Sequence, residues 1–87
     1  MRVKGARGRL LAGSYRAADL ADWELMGSRL TAAIQSPDPF WLDHGSGWRV
    51  ELVMGTRRWI YAAAWVQVIG QQRLVAQIEG ERTVRLG

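Results

Sequence analysis

The chain has 87 residues, a formal net charge of +4 and no cysteine. The absence of cysteine excludes disulfides and thiolate metal sites as sources of stability. A chain of this length is expected to form one domain, residues 1–87, that buries only about three-fifths to two-thirds of its unfolded surface. Five Trp, two Tyr and one Phe are many large side chains for so small a core, and those left outside are candidates for a contact surface. We therefore expect a homo-oligomer or a docked subunit.

The N-terminal segment is basic, since its cationic residues precede the first acidic one (Arg2, Lys4, Arg7 and Arg9). We predict a strand over residues 2–12, with residues 1–9 as a candidate basic arm. Only a short apolar patch follows, so we expect no secretory signal. The longest apolar run, residues 59–66, is far shorter than the roughly 20 residues that a membrane-spanning helix needs, and we expect no membrane partner.

Residues 17–26 fit two interpretations. Apolar residues at helical spacing, followed by Gly27 as a C-terminal cap, predict a helix. Alternatively, residues 22–26 and 29–35 form a hairpin around a Gly-Ser turn, which places a set of apolar side chains on one face (Trp23, Leu25, Leu30, Ala32 and Ile34). We favour the hairpin, because the same Gly-X turn recurs later in the chain. A short helical turn around residues 17–22 is compatible with it.

An apolar group stands in the middle of the chain between two turn signals. Two prolines in residues 36–39 restrict the backbone, and the glycine-containing residues 43–47 form a loop. Between them lie Phe40, Trp41 and Leu42. Because proline rigidity lowers the entropy lost when a loop is fixed at an interface, we predict these three side chains as the anchor of a contact surface.

A three-stranded meander is predicted over residues 48–54, 57–69 and 73–79. Gly55-Thr56 fits a two-residue type II′ turn, whose first position needs φ > 0. That turn pairs Met54 with Arg57, Leu52 with Trp59, Val50 with Tyr61 and Trp48 with Ala63. Gly70-Gln71 is predicted as a second two-residue turn, which pairs Gln67 with Leu74, Trp65 with Ala76 and Ala63 with Ile78.

The strand over residues 57–69 is apolar on both faces in its middle, which predicts that it is covered on both sides or crosses between two sheets. One face carries Trp59, Tyr61, Ala63 and Trp65, which we assign to the core. A turn at Gly80-Glu81 leads into a last strand, residues 82–86, with Val84 and Leu86 on one face. Its register does not match that of the preceding strand, so we expect it to pair elsewhere, for example on a neighbouring subunit.

These segments together predict an all-β fold, a small antiparallel meander that closes into a barrel or sandwich with at most one short helical turn. The predicted strands lie near residues 2–12, 22–26, 29–35, 48–54, 57–69, 73–79 and 82–86.

Catalytic chemistry is not expected. His44 is the only histidine, and Asp43 and Ser46 beside it do not by themselves make a triad with an oriented base and an oxyanion site. Gly5-Ala6-Arg7-Gly8 lacks the Lys-Ser/Thr ending of a phosphate-binding loop. We therefore predict no enzyme activity, no cofactor and no metal site.

The partners we expect are the protein itself or other structural proteins, contacted through β-edges and an aromatic patch. The predicted contact residues are Phe40, Trp41, Leu42, Val84, Leu86, Arg2 and Arg9. The alternative is a small β-barrel that binds single-stranded nucleic acid, in which the aromatic residues of 57–65 stack on bases and the arginines contact phosphates. The predicted core positions of those aromatics favour the assembly interpretation, with nucleic-acid binding weak.

The segment 36–42, the following strand 48–55 and the strand 57–65 together resemble, in overall character, the small β-rich accessory proteins of tailed-phage virions. Those are tail or head-tail joining components. The resemblance implies a structural protein that assembles through edge strands and long arms, and it makes a virion one candidate location. It transfers no functional residue to this chain.

Overall fold

The structure, a computed structural model, describes residues 2–70 and 72–86, and for residues 80–86 it describes the backbone alone. Six strands and one short helix follow one another: β1 (Arg2–Ala12), β2 (Tyr15–Met26), β3 (Arg29–Gln35), α1 (Pro39–His44), β4 (Trp48–Met54), β5 (Arg57–Ile69) and β6 (Arg73–Leu86). The strands form a closed antiparallel barrel in the order β1-β2-β3-β6-β5-β4. The predicted all-β barrel is confirmed.

The glycine turns explain why the short hairpins form. Gly13, Gly27 and Gly55 all have φ between 61° and 63°, and the strand residues that flank each two-residue turn are paired, as Met54 is with Arg57. Only glycine adopts this backbone conformation without a steric penalty. The predicted β4–β5 register is therefore confirmed from Met54–Arg57 to Val50–Tyr61.

Strand β2 is continuous from Tyr15 to Met26 and pairs with β3. The hairpin interpretation of this region is therefore confirmed, and the prediction of a helical turn around residues 17–22 is wrong. Two irregularities in the pairing of β2 explain why its apolar residues have helical spacing. Ala17 is an extra residue in the pairing with β1, and a second register shift against β3 surrounds Asp22, whose φ is 48°. Because each bulge reverses the inward and outward sides, buried residues recur at Ala17, Leu20 and Trp23.

The β5–β6 turn differs from the prediction. Ile69 pairs with Arg73, so the loop contains residues 70–72 rather than two residues. A register shift between Ala63 and Trp65 then restores the predicted pair of Ala63 with Ile78. The shift turns Trp65 outward, where it is 45% exposed, and brings Val66 against the core. The prediction that Trp65 lies in the core is wrong for this reason.

Strand β6 also differs, because it runs through the predicted turn at Gly80-Glu81. Its second half pairs with β5 of the same chain, from Thr83 opposite Ile60 to Leu86 opposite Arg57. A register irregularity opposite Tyr61 accommodates the turn-like sequence. The expectation that residues 82–86 pair elsewhere is therefore wrong.

Trp23 belongs to the core and is the largest of its fully buried side chains. Its indole N–H donates to the backbone oxygen of Arg7 over 2.8 Å. The ring occupies the space next to Gly5, where an added Cβ would lie inside van der Waals distance of the indole. The glycines of the Gly5–Gly8 segment thus serve packing, since a Cβ at Gly8 would collide with the backbone oxygen of Glu51.

Candidate interaction surface

Helix α1 begins at the end of the proline turn predicted over residues 36–39. The carboxylate of Asp38 accepts hydrogen bonds from the backbone N–H groups of Phe40 (3.1 Å) and Trp41 (3.4 Å), and Pro39 occupies the first turn. An Asp cap followed by proline is a known helix-start signal. In the sequence this signal, Asp38-Pro39, lies within the predicted proline turn.

Hydrogen bonds fix α1 against strand β2 at one end of the barrel. The backbone N–H of Asp38 donates to the oxygen of Ala17 over 2.7 Å, and the Arg16 guanidinium donates to the oxygen of Ser36 over 2.7 Å. The ring of Trp41 stacks on Tyr15 with a centroid separation of 4.2 Å and an interplanar angle of 8°. These contacts hold the helix in one orientation.

Helix α1 and the start of β2 each contribute an exposed aromatic side chain. Phe40 is 57% exposed and Tyr15 is 56% exposed, whereas Trp41 and Leu42 are partly buried against the core. Phe40 packs edge-on against Trp41, with ring centroids 4.9 Å apart. An exposed aromatic cluster that is fixed by packing is typical of a contact surface.

Strand β5 continues this apolar surface. Val68 lines a groove of about 370 Å³ together with Pro37, Pro39, Leu42 and Asp43. We name the surface formed by Tyr15, Phe40, Trp41, Leu42 and Val68 the helix-end surface. On the outer side of β5, Trp65 and Ile69 (51% exposed) add two further large apolar side chains.

The structure separates the predicted contact residues into groups. Phe40, Trp41 and Leu42 lie together on α1. Arg2 and Arg9 lie on β1, where Arg2 forms an ion pair with Glu24 (3.5 Å) and Arg9 contacts Glu51. The side chains of Val84 and Leu86 lie outside the described residues.

Sequence reasoning missed Tyr15, Trp65, Val68 and Ile69 as exposed apolar residues. The available signal was the apolar character of both faces of residues 57–69. That pattern predicted coverage on both sides or a crossing between two sheets, whereas in the described part of the chain Trp65 is 45% exposed and Ile69 51% exposed.

A cluster of charged side chains lies on the outer wall of the barrel. Glu51 is only 6% exposed, and both of its carboxylate oxygens accept hydrogen bonds from Arg9 over 3.0 Å. Arg58 approaches the same carboxylate at 3.7 Å. These contacts link β1, β4 and β5 across the floor of an open groove of about 400 Å³, which fits a structural role.

Of the groups weighed for catalysis, His44 makes its contacts within α1. His44 ends α1, where its Nδ1 lies 3.1 Å from the backbone oxygen of Phe40 and its ring stacks on the Phe40 ring. Within residues 2–70 and 72–79, no cluster of three His, Cys, Asp or Glu side chains is arranged to hold a metal ion. The observed contacts of His44 are those of a residue that stabilises the helix end.

The aromatic row weighed for base stacking is divided between two sides of β5. Trp59 and Tyr61 pack against the core, and Trp65 points outward. Arg57 and Arg58 are exposed at the other end of the strand. The described residues therefore present one exposed aromatic side chain, Trp65, on this strand rather than a continuous stacking platform.

Comparisons with known proteins identify no relative: no protein-family model, no curated protein and no solved structure matches the chain. In the described part of the chain, the single helix is too short to cross a membrane.

Proposed function

We propose that this protein is a non-enzymatic structural subunit of a larger homo-oligomeric or hetero-oligomeric assembly, such as a phage virion. The observation that supports this most directly is the helix-end surface, where Phe40 and Tyr15 are more than half exposed although both are fixed by packing. The fit to a virion comes from the resemblance in overall character to small β-rich virion proteins.

The energetic argument rests on exposed area and on rigidity. An aromatic side chain buries about 150–250 Å² when fully covered, so one that is half exposed retains roughly 100 Å² to bury, worth about 2–3 kcal/mol at ~25 cal/mol per Å². Because Asp38, Pro39 and the Tyr15 stack already fix α1, little conformational entropy is lost on association. The surface is therefore suited to a stable contact.

The closed barrel changes which parts of the chain are suited to docking. Residues 2–9 belong to β1, which pairs with β2 along its length, and Glu79 and residues 83–86 pair with β5. Deleting residues 1–9 would therefore remove part of the barrel wall rather than a separate arm. The helix-end surface is the better place to test association.

Phe40→Ser is expected to weaken association by at least tenfold, because it removes the most exposed aromatic ring of the surface without touching the buried core. Ser lacks the ring that a partner would cover, and ~1.4 kcal/mol corresponds to a factor of ten in affinity. Sedimentation velocity over a concentration series of wild type and variant measures this.

Met26→Ser is the matched control, since Met26 is 54% exposed on a strand end remote in sequence from α1. We expect this variant to associate like wild type. Equal association of wild type and Phe40→Ser, with both proteins folded, would contradict a role for the helix-end surface.

Single-stranded DNA or RNA is expected to bind weakly, through charge alone. The chain has a net charge of +4, and binding that depends on phosphate contacts falls steeply as salt is added. Fluorescence anisotropy with a labelled oligonucleotide at two salt concentrations measures this. Tight binding that persists at moderate salt and is lost in Trp65→Ala would favour the nucleic-acid function instead.

A further inference from the structure

Strand β5 extends beyond its neighbour on one side. Strand β4 pairs with β5 only as far as Arg49 opposite Ala62, whereas β5 continues to Ile69 with β6 on its other side. Within the described residues, no strand pairs with the β4 side of residues 63–69. The closed barrel therefore has a free edge here, which we name the β5 edge (residues 63–69). Residues 2–6 of β1 extend beyond β4 in the same way, but they carry the charges of Arg2 and Lys4.

The composition of the β5 edge does not protect it against pairing with another strand. Residues 59–72 contain no charged residue and no proline, although charges and prolines are the usual means by which exposed edges avoid association. Backbone N–H and C=O groups on a free edge form hydrogen bonds with water or with an added strand. The β5 edge is thus available for strand addition.

We propose that the β5 edge pairs in antiparallel orientation with the same edge of a second copy of this chain, around a two-fold axis. This inference rests on the proposed function and specifies its partner. A two-fold interface uses the same segment of both copies, and an uncharged segment meets itself without charge repulsion, although each chain carries a net charge of +4.

Position and size also favour a second copy over a short peptide. Seven residues of strand span about 23 Å, and this length alone gives less than the ~800 Å² per partner of a standard interface. Val68 joins the β5 edge to the groove beside Pro39 and Leu42. A whole second domain paired at the edge would therefore also cover apolar residues beside it, such as Pro39 and Leu42.

The absence of cysteine makes a cysteine scan the direct test. Single variants at exposed positions of the edge (Ala64→Cys, Gln67→Cys and Ile69→Cys) are treated with a short bismaleimide crosslinker. In an antiparallel two-fold pair, the distance between equivalent residues is smallest at the axis and grows on both sides. We expect crosslinking to be strong at one position of the edge and weaker at the others. Lys4→Cys, at an exposed position of β1, is the negative control.

Gln67→Lys provides the second test. A lysine on the edge places like charges on both copies, and we expect the dimer dissociation constant to rise at least tenfold. Gln35→Lys adds the same charge at an exposed position of β3 and is expected to leave dimerisation unchanged.

The outcomes separate this inference from the proposed function. Association that is lost in Phe40→Ser but unchanged in Gln67→Lys, with no crosslinking along the edge, would overturn the edge pairing and leave the assembly role standing. A chain that remains monomeric at high concentration would also overturn the edge pairing. If that monomer bound a different structural protein through α1, the assembly role would still hold.

Discussion

Trp23→Ala is expected to lower the free energy of unfolding by about 3–5 kcal/mol, the usual cost of truncating a buried tryptophan. The side chain is 1% exposed, and its loss would leave a cavity in the core. Domains of this size are stable by only about 5–15 kcal/mol, so the variant would lose much of its margin. Thermal or urea unfolding followed by circular dichroism measures the change.

Two further variants identify the cause. Trp23→Phe keeps an aromatic ring but removes the N–H that donates to Arg7, and we expect an intermediate loss of about 1–3 kcal/mol. Met26→Ala truncates an exposed side chain and should change stability by less than ~1 kcal/mol. If the Trp23→Ala variant had the same free energy of unfolding as the Met26→Ala variant, Trp23 would not be part of the hydrophobic core.

Gly5→Ala is expected to destabilise the barrel by about 1–3 kcal/mol or more, in the range found for overpacked cores. The reason is steric, since the new Cβ would meet the ring of Trp23. The same unfolding measurements apply.

The double variant distinguishes this cause from an effect on the backbone. Once Trp23 is alanine, the methyl group of Gly5→Ala enters space that the ring has left, so the cost of the glycine change should shrink or reverse. Residues in contact often deviate from additivity by 0.5–3 kcal/mol. Strict additivity of the two substitutions would contradict direct contact between Gly5 and Trp23.

The regular parts of the barrel were predictable because local chemistry determines them. Gly-X turns at Gly27 and Gly55 impose φ values that only glycine tolerates well, and each turn sets a register of alternating side chains. The central β4–β5 pairing followed from these rules alone. A closed barrel was one of the two predicted forms of the meander.

The irregular parts were not predictable from periodicity, because a bulge changes which face a residue occupies without leaving a distinctive sequence. Bulges at Ala17 and Asp22 give the apolar residues of β2 the spacing of a helix. The shift after Ala63 moved Trp65 from the predicted core to the surface. Distant pairing partners, rather than local preference, decide these positions.

The candidate site was predictable in part. The anchor group Phe40, Trp41 and Leu42 was identified from its rigid surroundings, but its helix was missed because Asp38-Pro39 was assigned to a turn. Tyr15 and Val68 join the surface only through tertiary contacts. Their sequence neighbours give no indication of that proximity.

Radical or carbene footprinting of the concentrated protein tests the central claim most directly, because it reports which exposed side chains become covered on association. Tyr15 and Phe40 should be strongly labelled in dilute solution and protected as concentration rises. Met26, which is similarly exposed, should remain labelled throughout. Labelling of Tyr15 and Phe40 that stays equal to that of Met26, in a sample that sedimentation shows to be associated, would contradict assembly through the helix-end surface.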